Sequence, residues 1–512
     1  MLLVRPRTTW WFGGVAALYA AVLVYYAETA AFTVDEGYHM LAAQLITKGK
    51  IPYLDFCFPQ TPLNAYWNAL WLRLLGQTWR VPHLMAALTT SLAVWLTGDF
   101  VLRRFPDPAW RLRGAVTALL LTGLSSSVFA FGSLQPYGLV FFALVATFRL
   151  AVRSVEHQRT RDVAAAGFFA GVAAASSLLS VAAVPVFLIW TVYYQNAERR
   201  IKAFSVFLLG IAVPFLPVLY LFVRGPQQTW FNLYRYHAVY RPLYWPDSGP
   251  HDLEVITGWI HDGPAMLLGL LAAGGMYYVL RRSAWPAAVR REFGLGALVF
   301  AALGLELSSA HPTFPRYFLL LAPFLAIPAA AGLYALAGAL GWAQSAVGRA
   351  DSPVGGRPVR ARFFDASVRL FSDPVAVLCV LAILGWGRTV YQRNRDLFRW
   401  SGYERIAAKI NEITPPGAAL LADDPVYFAT RRTPPSGFEL SYSHLIKLPP
   451  KEAALFHILH NDDIKRLVQM GSFPTVYSCY EEEEIAAWDV RAHYRKSLEL
   501  EDCTLFWDWK AK

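Results

Sequence analysis

The sequence predicts a polytopic α-helical membrane protein with about eleven transmembrane helices, outer interfacial helices and a small C-terminal soluble α/β domain. Three observations carry that expectation. Of 512 residues, 55% are hydrophobic and 16% charged, against about a quarter charged in an ordinary soluble domain. The apolar residues stand in runs long enough to cross about 30 Å of hydrocarbon, not in short core segments. The basic residues gather between alternate runs, as orientation in a membrane requires. A soluble enzyme is disfavoured by the first two observations. Disordered and fibrous classes fail on the 15% aromatic content and on the lack of any period among 35 Gly and 32 Pro. The formal charge of +11 raises the question of nucleic acid, but no zinc-finger spacing, RNA-binding signature or basic helix accompanies it. No nucleic-acid partner is expected.

Taken in order, the expected spans cover 11–30, 81–102, 114–131 and 136–152, then two short helices within 163–194. They continue through 203–223, 264–280, 293–308, 317–340 and 375–390. Under this count Arg5 and Arg7 share one side with the basic loops from Arg103 to Arg113, Arg153 to Arg161, Arg199 to Lys202, Arg281 to Arg291 and Arg349 to Arg369. The positive-inside rule makes that side cytoplasmic and puts the C-terminus on the other. The first run leads directly into Phe32, Thr33, Val34, Asp35 and Glu36 without a small-residue cleavage site, so it is read as a retained span. The expected organisation is a membrane domain over 1–390, with long outer loops at 33–80 and 224–263, and an extracytoplasmic domain over 391–512.

Chemistry is expected on the outer side, where three charged features stand close to span ends. Asp35 and Glu36 follow the first span. Tyr38, Leu41, Leu45 and Ile46 recur behind them at helical spacing, predicting an amphipathic helix on the membrane interface that Gly49 and Pro52 end. A second interfacial helix is expected over 64–75, opened by Pro62. Acidic residues at a helix start complement its dipole; here they also offer a general base for an acceptor hydroxyl, with Asp55 as a spare. The second outer loop interleaves Arg235, His237 and Arg241 with Tyr234, Tyr236, Tyr240, Tyr244 and Trp245. Such a mixture suits a lipid headgroup belt and a sugar phosphate cleft alike. The third feature is His311 and Arg316 at the outer entrance of a late apolar run. An arginine there either snorkels to lipid or meets an anion, and Tyr317 and His311 would add hydrogen bonds to a phosphate. Glu306, inside the preceding span, is expected to pair with an arginine.

After 391 polar helices at 403–413, 451–458, 463–470 and 481–494 alternate with strand-like runs at 418–421, 475–480 and 503–507, enough for one small α/β core. Cys479 and Cys503 are candidates for a disulfide on an oxidising side. No Walker loop, dinucleotide fingerprint, HExxH or GxSxG motif is present. Transport is the weaker class, because the halves do not repeat and the charges avoid the membrane midplane.

These features together resemble the GT-C membrane glycosyltransferases, in particular the bacterial relatives of protein O-mannosyltransferase and aminoarabinose transferase. The matching residues are Asp35-Glu36-Gly37-Tyr38, the segment Pro52 to Phe56 with Thr61-Pro62-Leu63 behind it, and Arg316-Tyr317. The resemblance implies transfer of a sugar from a polyprenyl-phosphate donor to a lipid, glycan or protein acceptor, at the outer face of a bacterial inner membrane. It implies catalytic roles for Asp35 and Glu36 and donor-phosphate contacts at Arg316, Tyr317, Arg235 and His311. Substrate contacts are implied at Tyr38, Tyr53 and Asp55. Relatives often carry a further acid in the outer loop after the third span, where this chain reads Phe131 to Pro136 without one. No protein metal ligand and no cofactor is therefore assigned, and a divalent cation stays an open alternative. The runners-up are a glycan ligase using a polyprenyl diphosphate donor and a flippase of a lipid-linked sugar.

Overall fold

A computed structural model describes residues 6–29, 34–244, 247–282, 285–339, 374–396, 399–479, 482–501 and 503–510. The expectations for Thr33, Trp245 and the basic loop from Arg349 to Arg369 lie outside the described residues. The chain is a polytopic helical membrane protein. It opens with α1 (Pro6–Thr29), α2 (Val34–Thr47), α3 (Leu63–Leu75), α4 (Arg80–Arg104), α5 (Arg111–Gly123), α6 (Ser126–Phe131) and α7 (Tyr137–His157). There follow α8 (Thr160–Ser176), α9 (Ala183–Tyr193), α10 (Arg200–Arg224), α11 (Pro226–Trp230), a π-helix over Phe231–Tyr240, α12 (Arg241–Tyr244) and α13 (Gly249–Thr257). The membrane part closes with α14 (Gly263–Arg281), α15 (Ala287–Ser309), a 3-10 helix Pro315–Leu321 running into α16 (Ala322–Ala339), and α17 (Pro374–Asp396).

Seven of the described helices are long and apolar enough to cross a membrane: α1, α4, α7, α10, α14, α15 and the run ending in α16. The other expected spans fall on shorter or interrupted helices. The α5 and α6 pair covers one, α8 and α9 are parted by the 3-10 turn Leu178–Ser180, and the apolar part of α17 covers Val375–Arg388. Lipid offers no hydrophobic drive between helices, so close crossings depend on small residues. The α8 and α10 crossing shows this, since a Cβ on Gly167 would sit 2.2 Å from the Phe207 carbonyl oxygen. Among the described residues Glu306 pairs with no arginine; its carboxylate accepts the Ala182 amide at 2.9 Å, tying α15 to the start of α9.

The first outer loop departs from expectation. An interfacial α2 should present one face to lipid, yet Met40 to Leu45 are all buried. The reason lies in the C-terminal region. There α19 (Asp424–Thr430) lies over α2, backed by α18 (Trp400–Ile413), while α3 packs against α2 as well. Met40, Leu41, Phe56 and Leu72 share one hydrophobic core with Trp400, Ile406, Val426 and Tyr477. Gly37 permits the approach, because a Cβ there would meet Pro425 Cδ at 2.6 Å. In α3 the expected interfacial character is kept: Leu70, Leu74 and Leu75 are exposed while Ala65, Ala69 and Leu72 face inward.

The C-terminal region carries a four-stranded sheet of order β1-β2-β4-β3, from β1 (Leu420–Leu421), β2 (Thr475–Ser478), β3 (Tyr494–Leu500) and β4 (Cys503–Trp509). Cys479 and Cys503 form a disulfide. The strand β3 was not expected. Its five exposed residues after Tyr494 give it no apolar alternation, and it pairs only with β4 at the sheet edge.

Candidate active site

Asp35 and Glu36 occupy the first turn of α2, and a helical step of about 100° per residue sends their side chains in different directions. Glu36 turns inward and is fully buried. Its Oε1 lies 2.9 Å from His83 Nε2 on α4 and accepts the Gln135 amide at 3.3 Å; its Oε2 accepts the Trp400 indole N–H at 3.2 Å. His83 Nδ1 in turn lies 2.7 Å from the Ala27 carbonyl oxygen. Both imidazole nitrogens therefore face acceptors, so one proton must lie between His83 and Glu36 and the pair carries no net charge. With no exposed surface, Glu36 ties α2 to α4, to the loop before α7 and to α18.

Asp35 turns toward the late span. Its Oδ2 lies 2.6 Å from Arg316 Nε, with 27% of the Asp35 side chain and 20% of the Arg316 side chain exposed. Arg316 also hydrogen-bonds Tyr137 at the start of α7, and its guanidinium sits 4.0 Å from the centre of the Phe314 ring. Beside it Arg241 donates to the Tyr317 hydroxyl and to the Pro312 carbonyl oxygen, both at 2.9 Å. Tyr38 sits in the field of Asp35, Tyr137, Tyr236 and Tyr317, and burial among them raises its phenol well above the ordinary value. The result is a cluster of two guanidiniums, one carboxylate and several phenols, with hydroxyls and N–H groups that suit phosphate and sugar oxygens.

The structure brings together Asp35, Tyr38, Arg316 and Tyr317, and separates the remaining candidates from them. Arg235 reaches Glu452 at 3.3 Å and the Tyr240 hydroxyl at 3.0 Å, so it binds the C-terminal region instead of facing Asp35. His311 is held by Asp252, 2.6 Å from its Nδ1, and by Ser248, while the other Asp252 oxygen accepts the Thr313 amide at 2.7 Å. Those partners occupy it in shaping the loop before Arg316. Tyr53 is completely buried, and its hydroxyl donates to the Gln60 carbonyl oxygen in a short contact. Asp55 accepts the Ile51 amide at 2.7 Å and closes the turn around Pro52. Tyr53 and Asp55 thus shape their own loop.

The resemblance points to Arg235, whereas the structure puts Arg241 against Tyr317. The two lie six residues apart where the backbone winds as a π-helix, so α-helical spacing could not say which of them faces the late span. His83 gave no signal beyond being a histidine near a span start. Among the described residues no group of three or more His, Cys, Asp or Glu side chains is arranged to hold a metal ion.

No family model and no curated protein sequence matches this chain. Solved structures do. ArnT from Cupriavidus metallidurans superposes with a TM-score of 0.63 when bound to undecaprenyl phosphate, at 16% identity over 97% of each chain. Its apo form gives 0.64 at 15% identity, over 97% of this chain and 98% of that one. An oligosaccharyltransferase from Archaeoglobus fulgidus, tethered to an acceptor peptide, gives 0.54 at 14% identity over 95% of this chain and 72% of the other. At such identities the likeness speaks for architecture alone, and that architecture, end to end, is the GT-C fold of membrane glycosyltransferases.

Proposed function

We propose that this protein transfers a sugar from a polyprenyl monophosphate donor to a hydroxyl of a lipid, glycan or protein acceptor, with Asp35 as the base. The observation that carries the reading is Arg241. It is a half-buried guanidinium whose hydrogen bonds go only to neutral oxygens, and it forms no ion pair with a carboxylate among the described residues. It stands next to an arginine already paired with Asp35. A cation held in this way at a membrane surface is costly unless an anion joins it.

The charges fit a monophosphate throughout the reaction. Before transfer, Asp35 and the donor phosphodiester supply two negative charges against Arg316 and Arg241. During an inverting displacement the acceptor oxygen bonds to the anomeric carbon, the bond from that carbon to the phosphate oxygen breaks, and Asp35 takes the acceptor proton. The departing polyprenyl phosphate gains the charge that Asp35 loses, and Arg316, released from Asp35, offsets it. A diphosphate donor would leave one negative charge without a partner at each stage. That difference favours a glycosyltransferase over a glycan ligase. Tyr38, Tyr137 and Tyr317 are positioned to donate to phosphate or sugar oxygens.

The basic loops support a cytoplasmic N-terminus in a bacterial inner membrane, with Asp35 and the region after 390 on the opposite side. The division at 390 is kept for topology, although the two parts share the core under α2. The test is transfer by purified protein from labelled polyprenyl monophosphate sugar beside the matching diphosphate. The monophosphate should be consumed with release of polyprenyl phosphate, and Arg241→Gln should raise the donor KM about tenfold or more, the worth of one charge-assisted hydrogen bond. An unchanged KM, or preference for the diphosphate, would refute the reading.

A further inference from the structure

A second group of cations stands at the other end of the bundle. The helix α7 runs about 30 Å from Tyr137, beside the proposed active site, to His157, and α8 starts back from there. Where α7, α8, α9 and α10 end together, a cavity of about 250 Å³ is lined by Gln158, Thr160, Gln195, Arg199 and Lys202. Arg199 donates to the Gln158 carbonyl oxygen at 2.7 Å, which fixes its guanidinium at the rim. Lys202 makes no hydrogen bond or ion pair among the described residues, and no carboxylate lines the cavity. Two cations and three neutral hydrogen-bonding side chains around a space of that size match a phosphate headgroup.

A second feature on the same two helices says what kind of molecule carries that phosphate. Directly below the cavity, an apolar groove of about 490 Å³ runs between α8 and α10, lined by Ala164, Ala165 and Phe168 on one side and Val206, Leu209 and Val213 on the other. It forms because the helices cross so closely at Gly167 and Gly210 that only small residues fit between them, leaving a furrow on the lipid side. From Lys202 to Val213 is eleven residues of α10, about 16 Å along its axis, which spans most of one leaflet. Phe168, Leu209 and Val213 are exposed. A free phosphate would use the cavity and leave the groove idle; a lipid uses both.

We infer that the cavity and groove between α8 and α10 form a binding site for an anionic phospholipid of the leaflet opposite Asp35, its phosphate on Arg199 and Lys202 and one acyl chain in the groove. The site stands apart from the transfer chemistry and does not depend on it. Bound there, the lipid would brace a crossing that glycines alone make thin.

The test is native mass spectrometry of the delipidated full-length protein, titrated with phosphatidylglycerol or with phosphatidylcholine of the same acyl chains. The first phosphatidylglycerol should bind about tenfold more tightly than phosphatidylcholine, and Lys202→Gln and Arg199→Gln should each remove about a factor of five from that preference, the worth of one cation at a lipid surface. Ala165→Trp, which fills the groove, should weaken both lipids. Lys202 is exposed and has no partner among the described residues, so its variant decides the matter even if the groove variant fails to fold. Arg161→Gln removes a charge from the same basic loop outside the cavity and should change nothing. Equal affinity for the two lipids would overturn the proposal, as would an Arg161→Gln effect as large as that of Lys202→Gln, which would mean diffuse attraction to the loop. Tighter binding of polyprenyl phosphate than of phosphatidylglycerol in competition would also overturn it, by making this a second carrier site.

Discussion

Two clusters of arginines and carboxylates sit at opposite ends of α4, α7 and α15. At one end Asp99 receives Arg103 at 2.8 Å and Arg149 at 2.7 Å, while Arg104 reaches Glu156 at 2.7 Å and Glu292 at 3.0 Å. Three cations meet three acids there, and the cluster welds the helix ends. At the other end two arginines meet one acid, Asp35. Glu36 does not alter that count, since His83 neutralises it within their own contact. The balanced cluster has nothing left to bind, whereas the unbalanced one holds a positive charge that a negatively charged ligand would complete. Charge surplus distinguishes the two ends more sharply than charge density does.

The largest effect that could break the comparison is at the shared residue type. Asp35→Asn should lower kcat by about 10²–10⁴ in the protein that remains folded, because it removes the base, while also leaving Arg316 without its carboxylate; transfer at the wild-type rate would remove Asp35 from the chemistry. Asp99→Asn should do the reverse. It strands Arg103 and Arg149 at a membrane surface, so thermal unfolding in detergent should report a loss of about 3 kcal/mol with kcat nearly unchanged in the protein that remains folded. If both substitutions cost rate alike, the two clusters are not different in kind.

Acid should act on the region around Asp35 through its histidines. Burial lowers His39 to about 3 and His237 to about 4, the latter held by the Pro59 carbonyl oxygen and beside Arg241. In the unfolded chain both titrate near 6.5. Their stabilising contribution is thus present above that value and lost as pH falls toward 4, each proton adding about 1.4 kcal/mol per pH unit at most. The unfolding temperature should drop between pH 6.5 and 4, and His237→Phe should flatten that slope; a profile that His237→Phe leaves unchanged would contradict the assignment. The smallest effect is expected at Arg235. Its pair with Glu452 is more than a third exposed on both sides, so Arg235→Gln should cost under about 1 kcal/mol and leave donor KM alone, in contrast to Arg241→Gln.

Much of this was legible in the chain itself. Long apolar runs report hydrocarbon burial whatever their neighbours, and basic loops report a side of the membrane, so the spans and the placement of Asp35 beyond the first of them follow from sequence. Arg316 could be picked out because an arginine in an apolar entrance needs a reason. What the sequence could not say is which member of an adjacent pair is free. Asp35 and Glu36 look alike until α2 is folded, and only the approach of Trp400, from over 360 positions away, and of His83 decides that Glu36 is enclosed. Arg235 and Arg241 are likewise equivalent as letters, and the π-wound backbone between them chooses. Hydropathy is a property of each residue against its solvent and survives any packing. Partnership depends on the few ångströms between groups distant in sequence, and that distance exists only in the tertiary structure.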